Sequence, residues 1–230
     1  MIVLRLDHVT FSHPGGLQLE DLSWPIQTGD KLGFVGPNGA GKSTILKLFA
    51  GILTPDDGLI VKPKEVTLGY LPQHILFDGE TTVLSEALTA SPRLAELEIA
   101  LQQVEESLGD PAVYGDETAL ADALDRQAQL LDAYEQADGL RYENVVKSTL
   151  RQLGFSDDDF TLSTAVLSGG QKKMLALTKL IVNKPSVLLL DEPDNHLDLV
   201  GKHQLEQIIH AFTGVVIIVS HDRYLLDEVA

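Results

Sequence analysis

The chain of 230 residues carries 34 Asp and Glu against 17 Lys and Arg, a net charge of −17, with 44% hydrophobic residues and no cysteine. That length buries a full core as one large domain or as one domain with a subdomain. Disulfides and cysteine-ligated metals are excluded, and the acidic balance argues against a general nucleic-acid-binding surface, so any such contact is local. Met1 to Asp7 shows no basic region followed by an apolar core, and no apolar run approaches membrane-spanning length, so the chain reads as cytoplasmic with no membrane insertion.

Residues 2–6 alternate apolar and polar like a half-exposed strand, and Val9-Thr10-Phe11 leads into a turn at residues 12–16. Residues 17–26 read as a second strand-rich passage ending before Gly29-Asp30. Phe11 is either a core aromatic or a ring that returns across the sheet to stack on a nucleotide base. Next, Lys31-Leu32-Gly33-Phe34-Val35 reads as a short buried strand and residues 45–50 as a helix ending at Gly51. Between them stands Gly36-Pro37-Asn38-Gly39-Ala40-Gly41-Lys42-Ser43-Thr44, which fits the phosphate-binding pattern Gly, four residues, Gly, Lys, Ser/Thr. Its glycines let successive backbone N–H groups turn toward phosphate oxygens, and the helix N-terminus adds its positive end. In that setting Lys42 bridges the β- and γ-phosphates and Ser43 offers its hydroxyl to Mg²⁺.

Residues 54–58 read as a turn and residues 65–71 as a strand. Gln73, just after Pro72, is either a loop residue or, beside a nucleotide, a contact for Mg²⁺ or the attacking water. From Ser91-Pro92 the pattern turns helical, with Leu94, Leu97, Leu101, Val104 and Leu108 in one stripe before Gly109-Asp110-Pro111 ends it. A second helix over residues 117–137 carries Leu120, Leu124, Leu131 and Tyr134, so that residues 91–139 form an inserted αα-hairpin. Residues 91–145 hold 13 acids against 3 basic residues, which is either a solvated face or a surface for a partner. A third helix spans residues 140–153, and residues 140–182 make up the rest of a helical subdomain.

Leu167-Ser168-Gly169-Gly170-Gln171 opens a helix running through Val182, with Ser168 as its cap and two glycines that let backbone N–H groups approach an anion. The continuous apolar run Val187-Leu188-Leu189-Leu190 reads as a central parallel strand and ends in Asp191-Glu192. Ligands of open parallel sheets bind at the carboxyl ends of strands, so both carboxylates face the phosphate loop; Asp191 serves the Mg²⁺ shell and Glu192 orients and polarises a water. Val215-Val216-Ile217-Ile218-Val219 brings His221 to the same sheet edge, where it can donate to a γ-phosphate.

Taken together, Phe11, residues 36–44, Gln73, residues 167–171, residues 187–192, Asn195-His196-Leu197-Asp198 and His221 resemble the ATP-binding-cassette (ABC) nucleotide-binding domain over nearly the whole chain. The resemblance implies an α/β fold: a P-loop NTPase-type, mainly parallel sheet core, an N-terminal antiparallel β subdomain, and a helical subdomain carrying the hairpin insertion. It implies an ATPase with ATP and Mg²⁺ as its ligands, in which Phe11 stacks on adenine, Gln73 joins Mg²⁺, Glu192 is the general base and His221 contacts the γ-phosphate. Such domains work in facing pairs, so Ser168, Gly169 and Gly170 complete the site of a second cassette, with Asp198 at the seam. Residues 191–198 and 220–227 are most similar to the ABC-F branch, which is soluble, carries two cassettes on one chain and acts on the ribosome. The insertion matches the arm of the N-terminal ABC-F cassette, and the chain is expected to be a fragment of a longer two-cassette protein, pairing within that protein or as a homodimer. One departure is Asp194, where the family pattern has Thr. The alternative function is the subunit that energises a membrane ABC transporter, for which Ser-Ala-Leu-Asp is usual at residues 195–198.

Overall fold

The computed structural model describes residues 1–12, 16 and 18–229. Two sheets share the work of the core. The first strand, β1 (Ile2–Ser12), pairs antiparallel with β2 (Gln18–Gln27) on one side and, farther along the chain, with β4 (Asp57–Val61) on the other. A register shift runs through β1 between Leu6 and Val9, where His8 takes a left-handed φ of 52°, so one bulged strand replaces the two short passages read from the sequence. Residues 57 and 58, expected in a turn, begin β4 instead; a local reading missed this strand because its pairing is with residues some fifty positions earlier. Most of the turn expected at residues 12–16, like position 17, lies outside the described residues.

The second sheet is parallel, in the order β3 (Lys31–Phe34), β7 (Val215–Val219), β6 (Val187–Asp191) and β5 (Leu68–Leu71). Every residue of β6 and β7 is buried, as expected for inner strands covered on both faces. The pleat sends Val187 and Leu189 into one core, with α1 (Lys42–Phe49) and the antiparallel sheet, and Leu188 and Leu190 into the other, with the helical layer. That second core contains α2 (Val83–Leu88), which sequence reading did not find, together with α6 (Gly139–Gln152), α7 (Gly169–Val182), α8 (Leu199–Ala211) and α9 (Arg223–Val229).

The insertion forms as α3 (Pro92–Leu108), the single turn α4 (Pro111–Tyr114) and α5 (Glu117–Gln136), with α3 packed along α5. Leu94 on α3 and Leu130 on α5 are its buried anchors. The stripe expected on α5 is only half right. Leu120 and Tyr134 face inward, but Leu124 and Leu131 are 49% and 52% exposed. Two faces of α5 satisfy the helical period, and the one used runs through the small Ala123 and the polar Gln127, which gave little apolar signal. At the root, Asp138 turns the chain with a left-handed φ of 59°, and Gly139 lies so close to the Tyr134 ring that a Cβ there would fall 2.4 Å from it.

The Tyr134 hydroxyl donates to Glu98 Oε1 at 3.1 Å. Burial pushes the Glu98 carboxyl above its ordinary value; the Tyr134 hydrogen bond opposes this and the charge of Glu143 adds to it. The folded arm therefore favours the protonated acid, and the cost of ionised Glu98 appears as pH rises from the ordinary carboxylate range through the raised value. Glu98→Gln keeps an acceptor for Tyr134 without the charge, so it should raise the melting temperature at pH 7 by about 1–2 °C, with the gain shrinking as pH is lowered. A pH series of melting curves for both proteins checks this; a gain independent of pH, or a loss, contradicts it.

Candidate functional site

The phosphate-loop residues leave β3 as an irregular segment and enter α1 at Lys42. Gly36, Gly39 and Gly41 have φ of 157°, 81° and 89°, and Gly41 occupies the N-cap without a side-chain cap, leaving the first N–H groups of α1 for a ligand. Lys42 folds back across the loop, its Nζ donating to the carbonyls of Gly36 at 2.8 Å and Pro37 at 2.9 Å. The charge is held over backbone oxygens, a weaker partner than a phosphate would be.

Ser43 points toward the sheet, where its Oγ donates to Asp191 Oδ1 at 2.8 Å. Asp191 ends β6 with 1% exposure, and its Oδ2 accepts from the Tyr70 hydroxyl at 3.3 Å. Burial, and then the adjacent Asp191 charge, push the Tyr70 phenol well above its usual range, so Tyr70 remains a donor. A hydroxyl and a carboxylate on neighbouring elements, hydrogen-bonded across the mouth of a glycine loop, form a hard oxygen donor set that suits Mg²⁺.

Glu192 follows directly, with a left-handed φ of 49°. Its Oε2 accepts from Gln73 Nε2 at 2.7 Å and from Asn195 Nδ2, while Oε1 lies 3.6 Å from His221 Nε2. The side chain is 13% exposed. Three residues from three different segments thus converge on one carboxylate, and two of them, Gln73 and His221, are those expected from the sequence. Asn195 is an additional partner, placed by the turn that follows β6.

Ser168 and Gln171 close a reciprocal capping box on α7. The Gln171 N–H donates to Ser168 Oγ at 3.2 Å, and the Ser168 N–H donates to Gln171 Oε1 at 3.0 Å. Their hydrogen bonds are with each other, not with the loop or with Asp191 and Glu192. Gly170 lies under the His196 carbonyl, where a Cβ would come within 2.8 Å of that oxygen. Together with His196, Asp198, Gly154 and Gln204 they border an open cavity of about 440 Å³. Asp198 caps α8, accepting the Gly201 N–H at 2.8 Å.

Phe11 lies in β1 opposite Leu19, 8% exposed and packed with the core residues of the antiparallel sheet. Sequence reading missed Tyr70 and Lys173. Tyr70 ends up beside Asp191 because β5 pairs with β6, a partnership no local pattern announces. Lys173 has pattern only as one of two consecutive lysines after Gln171, yet its Nζ donates to the Glu192 carbonyl at 2.5 Å.

Comparisons with known proteins identify the family and the fold. The chain is 39% identical over its whole length to the putative ATP-binding protein YdiF of Bacillus subtilis, covering 35% of it. It is 37% identical, over 92% of the chain and 37% of the relative, to the energy-dependent translational throttle protein EttA of Haemophilus influenzae. With ABC transporter F family member 5 of Arabidopsis thaliana it shares 32% identity over 98% of the chain and 32% of the relative. The chain spans about a third of the length of these curated relatives. A solved ATP-binding cassette, a dimer in a post-hydrolysis state with ADP and Pi, superposes with a TM-score of 0.62 at 18% identity, over 98% of this chain and 91% of that one, a likeness of fold. The family described as ABC transporter matches residues 19–195. That match spans more than half of the chain and places it in the ABC transporter family, as one of its ATPase domains.

Proposed function

We propose that this cassette binds Mg-ATP at residues 36–44, hydrolyses it with Glu192 as general base, and serves an ABC-F-type translation factor on the ribosome. The observation that carries the hydrolytic part is the convergence of Gln73, Asn195 and His221 on Glu192, one residue after the Asp191 carboxylate that receives Ser43. Lys42 exchanges its backbone carbonyls for the β- and γ-phosphate oxygens. Ser43 and Asp191, with Gln73 beside them, would hold Mg²⁺, which neutralises charge on those oxygens. Glu192 accepts a proton from water as its oxygen attacks the γ-phosphorus and the bond to the β-phosphate oxygen breaks, while His221 donates to the γ-phosphate.

Among the described residues the segment Ser168 to Gly170 makes no hydrogen bond to this chain's own Asp191 or Glu192 side chains, which suits a role at the nucleotide of a facing cassette, on the same polypeptide or on a second copy. The ribosomal part of the proposal draws on the resemblance of residues 191–198, on the hairpin arm, and on similarity to a protein named as a translational throttle. The acidic arm suits a basic ribosomal protein better than ribosomal RNA. A second reading, the ATPase subunit of a membrane transporter, is favoured by one feature. An apolar groove of about 350 Å³ runs past Tyr70, Ile75 and Phe77, with Leu76 92% exposed beside it. Among the described residues no helix is long and apolar enough to cross a membrane.

Lys42→Ala should weaken ATP binding by roughly 10- to 100-fold in calorimetry, the equivalent of about 1.5–3 kcal/mol for a charged hydrogen bond; unchanged affinity contradicts the assignment. Replacing residues 91–139 with a short Gly/Ser linker should leave ATP affinity within about twofold, because Lys42, Ser43, Gln73, Asp191, Glu192 and His221 lie outside the insertion. In the Glu192→Gln background the same deletion should weaken co-sedimentation with ribosomes in ATP, and the association lost should be the salt-sensitive part. Ribosome binding unaffected by the deletion removes the arm's role, and absence of ribosome binding by the undeleted protein favours the transporter reading.

A further inference from the structure

Behind Glu192 lies a charged network that the reaction as described does not use. Lys173, on the second turn of α7, is 3% exposed, and its ammonium reaches the Glu192 carbonyl. Asp194 is 8% exposed and accepts the Ser220 hydroxyl at 2.8 Å. Ser220 Oγ in turn accepts the Asp222 N–H at 2.9 Å, and Asp222 Oδ2 is bonded by Lys202 Nζ at 2.7 Å. His221 sits between Ser220 and Asp222. A buried ammonium and a buried carboxylate each require the other's charge nearby. Burial lowers the Lys173 pKa, while Asp194 first, then Glu192 and Asp191, favour its charged form. Asp194 is also the position at which this chain departs from the Thr of the family it resembles.

The Glu192 backbone needs such support. Its left-handed φ is disfavoured for a residue with a side chain. Its N–H is fixed by the Val219 carbonyl at 2.8 Å, but among the described residues its own carbonyl otherwise receives only the distant Asn195 N–H at 3.4 Å. Lys173 supplies the second fixed point of that residue, and with the peptide groups on both sides of its Cα held, the direction in which the carboxylate leaves the backbone is set.

We propose that Lys173 and Asp194 act together as positioning residues: Lys173 holds the Glu192 backbone in its left-handed turn, while Asp194 supplies the counter-charge and ties the same turn, through Ser220, to the loop carrying His221. The proposal rests on Glu192 being the general base. It differs from a merely stabilising charge arrangement because it places the effect on turnover and not on ATP affinity.

The test is steady-state Mg-ATP hydrolysis, with ATP affinity and melting temperature measured in parallel, for Lys173→Met, Lys173→Arg, Asp194→Thr and the Lys173→Met/Asp194→Thr double variant, with Glu192→Gln as reference. Lys173→Met should lower kcat roughly 10- to 100-fold with KM and ATP affinity within about twofold. Lys173→Arg should fall between it and the wild type. The double variant should be more active than Lys173→Met alone, because it removes the uncompensated carboxylate, so the two losses do not add. If Lys173→Met fails to fold, Lys173→Arg and the double variant carry the comparison. Wild-type kcat in the lysine variants while Glu192→Gln is inactive overturns the positioning role, as do strictly additive losses or a loss of ATP affinity equal to the loss of kcat. Normal hydrolysis by Glu192→Gln overturns the general-base reading, and this proposal with it.

Discussion

The structure depends on how a carboxylate is partnered at the end of a buried strand. Asp191 closes β6 with almost no solvent contact, and an unpartnered charge there would cost more than the surrounding packing could offset. The fold answers with hydroxyls, Ser43 from α1 and Tyr70 from β5, brought to the same sheet edge by the parallel order β3-β7-β6-β5. The phosphate loop is thereby fastened to the central strand by the hydrogen bond that a divalent cation would replace.

The residues just beyond the strand ends carry much of the conformational tension. Glu192 and His196 are left-handed, and their loop is held by contacts from every side: Gln73 after β5, Lys173 from α7, Val219 from β7 and Ser220 after it. Strained backbone persists where its surroundings over-determine it, and such places are commonly sites of function. The arm is built on opposite terms. Its inner seam is thin, with Leu94 and Leu130 as the buried anchors, and its outer faces are acidic with isolated leucines. It adds surface without entering either core.

Much of the candidate site's layout was legible in the sequence because its elements announce themselves locally. The glycine pattern between a strand and a helix, and the run Val187-Leu188-Leu189-Leu190 before Asp191-Glu192, each carry position and chemistry within a few residues. What escaped depends on long-range partnership. β4 exists because β1 offers it an edge, and Tyr70 is relevant because β5 pairs with β6. On α5 the period holds and the expected face is half right, since Leu124 and Leu131 fit a helical stripe as well as the Ala123 and Gln127 side does. Lys173 had no distinguishing signal; only the path of α7 behind β6 gives it the Glu192 carbonyl.

The central claim is that the carboxylate at position 192 removes the proton from the attacking water. Phosphate release and ATP affinity, measured side by side at saturating Mg-ATP for the wild type and Glu192→Gln, test it most directly. The amide keeps the shape and hydrogen-bonding reach of the side chain but cannot accept that proton, so hydrolysis should fall by about 100-fold or more while ATP affinity stays within about twofold. Hydrolysis at the wild-type rate by Glu192→Gln would contradict the account.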